Sequence, residues 1–324
     1  MLARRSLDSG AVSDEPLDAS ADAPRIAIVT TDPAWYSPVD PDRDTAPLLD
    51  ALHRRGARAE AVVWHDEGVD WAAFDVAVVR STWDYAERPG DVEPWLDRAG
   101  RGTRLLNEPE LIRWNLDKRY LAQLAEAGIA VVPTTYHLDP DHLPDALAAH
   151  GAYAACDLDA HVVIKPAVGA ASRLTGLFRA DDPAALALAR AVLAEGNTVM
   201  LQPEVPELSA GAEKALYLVD GEVTHAIAKG ALLARGGGLL GGVYEERPVV
   251  VEANDGERAF AREVLFAVGR VTGVATPLYA RIDMVDSAAH GLVLLEAELF
   301  EPALNLHLVP HVTELVADAI LRRV

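Results

Sequence analysis

Two neighbouring apolar stretches that both carry carboxylates constrain this chain most: Tyr279–Asp286, YARIDMVD, and Leu292–Leu306, LVLLEAELFEPALNL. A short connection through Ser287–Gly291 would fold them into an antiparallel pair of strands. Strand alternation sets Glu296 and Glu298 on one face, with Leu295, Ala297 and Leu299 on the other. Asp283 on the first strand joins them, so three carboxylates are expected to face one point. Left alone they would repel one another and lose hydration. A cluster of this kind therefore asks for a hard cation, and the expected ion is Mg²⁺, which takes a few carboxylates and keeps positions for water and phosphate oxygens. Arg281 shares strand and face with Asp283, where a fixed cation neutralises charge on a phosphoryl group in transfer. The competing reading is the solvated face of an edge hairpin.

A chain of 324 residues, half of them apolar, buries a sizeable core and suggests two or three domains. The formal charge of −21 argues against nucleic acid and against an anionic membrane as partners. A single cysteine, Cys156, excludes an internal disulfide and a cysteine-based zinc site; a small buried side chain in a reducing compartment is expected. The first 24 residues carry two early arginines with no apolar run behind them, so a disordered tail is expected rather than a secretory signal. No uncharged apolar stretch approaches the ~20 residues that span a bilayer. A cytoplasmic location follows, and symmetry base rates suggest a homodimer.

Order should begin at Arg25 with the buried strand IAIVT, followed by a helix over Thr45–Arg55 that Gly56 stops. Strands at Arg58–Trp64, Phe74–Val79 and Arg104–Leu106, with a helix after Pro89, complete an open α/β sheet with a largely parallel core. Ligands bind such sheets at the carboxyl ends of the strands. Arg80, Ser81, Thr82, Trp83 and Asp84 lie there as candidate substrate-binding residues, Arg80 being suited to a carboxylate. A packed turn with a surface Arg80–Asp84 ion pair is the bland alternative.

In the middle of the chain, Asn115 is expected to cap a helix running to Ala127, with Gly128 closing it and a strand ahead of Pro133. Lys118 would sit in its first turn, against the dipole. HVVIKPAVGAASRLTGLF from His161 reads strand, loop, strand, with Lys165 ending the first strand and small residues, Gly169 and Ser172 among them, forming the loop. Small residues let backbone N–H groups approach polyphosphate, although the order of a Walker loop is absent and a plain hairpin connection looks the same. After a helix over Pro183–Glu195 and the strand TVMLQP, the stretch Gln202, Pro203, Glu204, Val205 reads as a linker between two lobes. Strands at Lys214–Val219 and Glu222–Ala228 are joined by Asp220-Gly221, a strong hairpin signal, and Lys229 ends the second. RGGGLLGG at Arg235–Gly242 reads as a mobile loop, either closing over substrate or merely connecting. Helices over Gly256–Thr272 and Val309–Arg322 complete the chain. His307 and His311 share a helical i, i+4 face only if the last helix starts early, and an ordinary helix surface accounts for them.

The succession Lys118, Lys165, Gln202, Glu213, Lys229, Arg281, Asp283, Glu296, Glu298 resembles the ATP-grasp superfamily over Leu105–Leu306. The phrases RSTWDY, NEPELIRWNLDKRYLAQL and LLEAELFEPAL look most like the subgroup that contains the O-ureido-serine cyclo-ligase of cycloserine biosynthesis. That resemblance implies an α/β fold, α+β in its ATP-binding part. It implies a tail over 1–24, an N-terminal open α/β domain over 25–113, a central lobe over 114–205 and a C-terminal lobe over 206–324, the two lobes enclosing ATP. It implies that Lys118 and Lys165 contact the phosphates beside the loop of Gly169 and Ser172. Gln202, Glu204 and Val205 would meet adenine, and Glu207 or Glu213 the ribose. Asp283, Glu296 and Glu298 would hold Mg²⁺, with Mn²⁺ able to substitute; Arg281 would stabilise the transferring phosphoryl group, with Lys229 as a second catalytic cation. Many superfamily members carry Asn where this chain has Glu298. The implied reaction activates a small carboxylic acid as an acyl phosphate, which an amine then attacks in the same molecule or another. A nucleotide-binding module whose closure a partner reads is the alternative of a different class.

Overall fold

The computed structural model describes residues 22–38, 41–153, 160–242 and 247–324. The tail expected over the first 24 residues lies outside the described residues up to position 21, as does Cys156.

Three sheets organise the chain. The first consists of β1 (Arg25–Thr30), β2 (Arg58–Val63), β3 (Val76–Ser81) and β4 (Arg104–Leu106), all parallel in the order β2-β1-β3-β4. Its central strands are near-continuous apolar runs because helices cover both faces. Ile26 and Ile28 pack with Leu48, Ala51 and Leu52 of the helix Thr45–Arg54 and with Val312, Val316 and Ile320 of the helix Pro310–Leu321. Ala27 and Val29 pack with Val92, Trp95 and Leu96 of the helix Pro89–Gly102.

The second sheet, antiparallel in the order β5-β8-β6-β7, consists of β5 (Thr135–His137), β6 (His161–Pro166), β7 (Gly176–Arg179) and β8 (Val199–Pro203). Ala185, Ala189 and Val192 of the helix Pro183–Ala194 close over Val162 and Ile164. The third sheet, also antiparallel, runs β11-β10-β9-β12-β13 through β9 (Lys214–Val219), β10 (Glu222–Ala228), β11 (Val249–Val251), β12 (Tyr279–Ser287) and β13 (Gly291–Glu298). Asp220 (φ 51°) and Gly221 (φ 83°) both take the left-handed conformation that a tight hairpin between β9 and β10 needs. The helix Asp255–Thr272 lays Ala261, Val264 and Val268 on the back of this sheet, and a capping box between Asn254 and Glu257 starts it.

Four expectations need correction. Asn115 does not cap a helix; it ends the helix Pro109–Asn115, and a separate helix, Tyr120–Glu126, follows a turn. Pro109 at the first helical position supplies the earlier start. Lys118 consequently lies in that turn rather than inside a helix. Ahead of Pro133 there is a single bridge, Val131 to Leu294, in place of a strand. The pairing of β12 with β13 skips Leu295, since Asp283 faces Glu296 while Met284 faces Leu294. This bulge turns Leu295 toward the same cleft as Glu296 instead of the opposite face. Finally, the glycine-rich stretch is tied down at its start. Gly236 and Gly237 donate to Leu177 O of β7, and Leu177 N–H donates to Gly237 O at 2.8 Å. Among the described residues no helix is long and apolar enough to cross a membrane.

Candidate active site

The second and third sheets face each other across a cleft of about 260 Å³, with Trp35 and Trp83 of the first sheet's loops at one side. Lys118 reaches it from the turn before Tyr120, because its own N–H donates to Ala167 O at 2.8 Å and ties that turn to the small-residue loop. Its Nζ donates to Gly169 O at 2.7 Å and lies 3.1 Å from Glu296 Oε1. Burial opposes charge on this ammonium, but Glu296 outweighs it and the pKa is raised. Lys165, at the end of β6, lies in the same wall, and burial pushes its pKa down despite Glu296, with Lys118 adding to the effect.

Between these lysines runs the loop of Gly169 and Ser172, both lining the cleft. Ala171 and Ser172 adopt φ of 49° and 52°, a left-handed pair that non-glycine residues enter only where the surroundings hold them. Farther along, Gln202 Nε2 donates to Thr134 Oγ1 at 2.8 Å, and Val205 packs with Val132, Val285 and Val293. Glu204 Oε1 accepts from Ser209 Oγ at 2.7 Å and from Arg235 Nε at 2.9 Å. Gln202, Glu204 and Val205 all line the cleft, as does Glu213. Glu207 does not; its Oε1 accepts from Ala288 N–H at 3.0 Å and holds the β12–β13 turn.

On the third sheet Lys229 Nζ stands 3.2 Å from Glu213 and 3.1 Å from Asp283. Arg281 donates to both Asp283 oxygens at 2.8 Å and also to Glu298, its partner across the β12–β13 register. Burial alone would raise the Asp283 carboxyl, but Arg281 and Lys229 bring it below the usual carboxylate range. Burial drives Glu298 well above that range, Arg281 offsetting only part of it while Glu301, Asp283 and Glu296 add to it. The three carboxylates expected to face one point do not form a cage. Arg281 draws in Asp283 and Glu298, Lys118 draws in Glu296, and among the described residues no three acidic, histidine or cysteine side chains gather as an ion site. Glu296 and Glu298 nevertheless both line the cleft, and carboxylate oxygens are the donors that a hard divalent cation takes.

The candidates after β3 part company. Only Trp83 lines the cleft. Arg80 is 2 % exposed, donates to Pro302 O at 2.6 Å, lies over the Tyr279 ring and stands 3.6 Å from Asp44. It therefore has no ion pair with Asp84, which instead accepts from Trp64 Nε1 at 2.6 Å and from Arg88 at 3.2 Å. Ser81 bonds Asp42 and accepts from Tyr36 at 2.8 Å, while Thr82 is buried. Sequence reasoning missed Trp35 and Glu301. Both were signalled: Trp35 follows the carboxyl end of β1, and Glu301 extends the acidic series of β13 by three residues, just ahead of Pro302. Burial raises the Glu301 carboxyl to about 7.

The family model for the N-terminal domain of D-cycloserine synthetase DcsG matches residues 26–107. The cycloserine biosynthesis protein DcsG of Streptomyces lavendulae is 38% identical over 269 residues, 82% of this chain and 88% of that protein. The chain belongs to the DcsG family. The crystal structure of D-cycloserine synthetase DcsG matches with a TM-score of 0.83 at 34% identity, covering 92% of this chain and 99% of that one. D-alanine–D-alanine ligase from Bacillus anthracis, complexed with ATP, matches at a TM-score of 0.61 and 14% identity over 93% of this chain and 97% of that one, a likeness of fold alone. The DcsG-family chain thus has the ATP-grasp fold expected from its lysines, arginine and carboxylates, with an open parallel sheet ahead of two antiparallel ones.

Proposed function

We propose that this chain is an ATP-dependent carboxylate–amine ligase that closes O-ureido-serine, or a close analogue, through an acyl phosphate. One observation carries the reading: Lys118, Lys165, Lys229 and Arg281 line a single cleft together with Glu213, Glu296 and Glu298. DcsG-family membership supports the same chemistry. Phosphoryl transfer asks a protein chiefly to position its reactants and neutralise charge, which is what such a set of fixed cations does.

In this reading residues 25–113, 114–205 and 206–324 act as three units, and ATP lies between the last two. Lys118, Lys165 and the loop of Gly169 and Ser172 hold the phosphates. Gln202, Glu204 and Val205 border adenine, and Glu213 takes the ribose. The substrate carboxylate attacks the γ-phosphorus, the bond from that phosphorus to the β–γ bridging oxygen breaks and ADP leaves with its electron pair, while Arg281 with Lys229 stabilises the charge that builds on the transferring group. The substrate nitrogen then attacks the acyl carbon, a C–N bond forms, phosphate leaves with the C–O electron pair, and the nitrogen gives up its proton to solvent. Glu296 and Glu298, with Asp283 behind them, would hold Mg²⁺ or Mn²⁺, which would supply neutralisation of the phosphate charge.

The test is incubation of purified protein with ATP, Mg²⁺ and each enantiomer of O-ureido-serine. ADP, phosphate and cyclised product are expected in equal amounts. ADP release that does not depend on the acid, or ATP binding with no ADP, contradicts the reading, the latter favouring a non-catalytic module.

A further inference from the structure

Nearly every acid that lines the cleft is matched by a cation in contact. Glu204 pairs with Arg235 at 2.9 Å, Glu213 with Lys229 at 3.2 Å, Glu296 with Lys118 at 3.1 Å, and Glu298 with Arg281. Glu301 is the exception. It is 8 % exposed and lines the cleft, yet among the described residues its carboxylate has neither a hydrogen bond nor an ion pair. Arg281, Lys118 and Arg80 act on it only through space. A buried carboxylate without a partner is costly, so its retention asks for a partner that arrives with a ligand.

The surroundings say which kind. Trp83 Nε1 donates to Glu301 O at 2.9 Å, which fixes the residue against an indole that lines the same cleft. Trp83 belongs to the loop after β3, and Trp35, on the same side of the cleft, to the loop after β1; the Tyr36 ring lies between the two indoles, 6.0 Å from Trp35 and 5.6 Å from Trp83. Both follow the carboxyl ends of parallel strands, where sheets of this kind take ligands. An anion beside an indole suits an organic ammonium, which can gain from the ring as well as from the charge. A hydrated metal ion gains nothing from an indole.

We infer that Glu301, with Trp83 beside it, is the site for the ammonium group of the substrate, so that the cleft selects an amino acid over the corresponding simple acid. The inference rests on the ligase reading only for the choice of molecule to titrate. Its test is calorimetric titration of two compounds into protein saturated with Mg²⁺ and AMPPNP, a nucleotide whose γ-phosphoryl is not transferred. The compounds are O-ureido-serine and 3-(ureidooxy)propanoic acid, which is the same acid without its amino group.

The wild type should bind the amino acid more tightly, on the order of tenfold to a hundredfold, the range of a buried charge-assisted contact. Glu301→Gln should weaken the amino acid by a similar factor while leaving the simple acid, the AMPPNP affinity and the Mg²⁺ requirement unchanged. Glu301→Asp should recover part of the preference. Equal weakening of both acids, or a wild type that prefers neither or binds neither, overturns the inference. So does a shift in the Mg²⁺ requirement, which would make Glu301 a metal ligand. Should Glu301→Gln fail to fold, the wild-type preference and Glu301→Asp still decide it. Binding is read without turnover, so selective binding with no ADP formation overturns the ligase reading alone.

Discussion

Replacing Asn115 by Asp separates two accounts of the segment that carries Lys118. As a helix N-cap, Asn and Asp are equivalent and Ala costs about 1 kcal/mol. In the structure Asn115 ends a helix and bridges to β13 instead. Its Nδ2 donates to Ala297 O at 2.7 Å, and its Oδ1 accepts from Leu299 N–H at 2.8 Å, on either side of Glu298. Tyr120 also bonds Ala297 O, at 3.0 Å, so Asn115→Ala orphans chiefly the Leu299 N–H. A buried orphan of this kind costs about 1–3 kcal/mol and the second lost bond about 1, which gives roughly 2–4 kcal/mol. Asn115→Asp keeps one acceptor but sets a carboxylate against a carbonyl oxygen at a site 6 % exposed. It should therefore be less stable than Asn115→Ala at neutral pH. The introduced carboxyl would have a folded-state pKa above its unfolded value, so the deficit shrinks as pH falls through that raised pKa. Urea unfolding of the three proteins, with unchanged m-values, reads the order directly. An Asp variant as stable as wild type, with Ala about 1 kcal/mol below, refutes the bridge.

The pKa of His225 is lowered to about 4, first by burial and then by its environment near His311, although the contact with Leu304 O opposes this. The unfolded chain takes up a proton near pH 6.5 that the folded chain refuses until about pH 4, so about 3 kcal/mol of stability should disappear across that window. His225→Phe, which keeps a ring against Tyr217, should flatten that slope; identical slopes in pH-dependent unfolding contradict the assignment. Glu213→Gln should weaken AMPPNP binding in calorimetry while Glu207→Gln leaves it unchanged, and the reverse order refutes the placement of the ribose. A Cβ at Gly176 would lie 2.5 Å from the Phe178 ring and 3.1 Å from Gly237 O. Gly176→Ala should accordingly cost about 1–3 kcal/mol in urea unfolding, and a neutral result contradicts the close approach of the glycine-rich segment to β7.

Elements whose signal is local were legible in the sequence. Arg104–Leu106, Lys214–Val219 and Glu222–Ala228 fall at the expected bounds, because apolar runs and the Asp220-Gly221 turn need no distant partner. Lys118, Lys165, Lys229 and Arg281 share one cleft as their order suggested. What failed depended on contacts between remote segments. Arg80 stands at the end of a parallel strand, where a ligand is expected, but the segment after β13 returns to cover it, and Pro302 O and Asp44 take its guanidinium. The face of Leu295 follows from a bulge that alternation alone does not reveal. The earlier helix start was readable from Pro109, whereas the hydrogen bond that holds Lys118 in place, to Ala167 O, joins residues 49 positions apart and leaves no local signal.

The central claim, an acyl phosphate formed in the cleft, is tested most directly with substrate labelled by ¹⁸O at both carboxylate oxygens. On attack at the γ-phosphorus one labelled oxygen becomes the bridge of the acyl phosphate, and it leaves with phosphate when nitrogen closes the C–N bond. Mass spectrometry of the released phosphate should therefore find one ¹⁸O in each molecule, matched by one ADP and one product. Phosphate free of label, formed alongside product, would contradict the account.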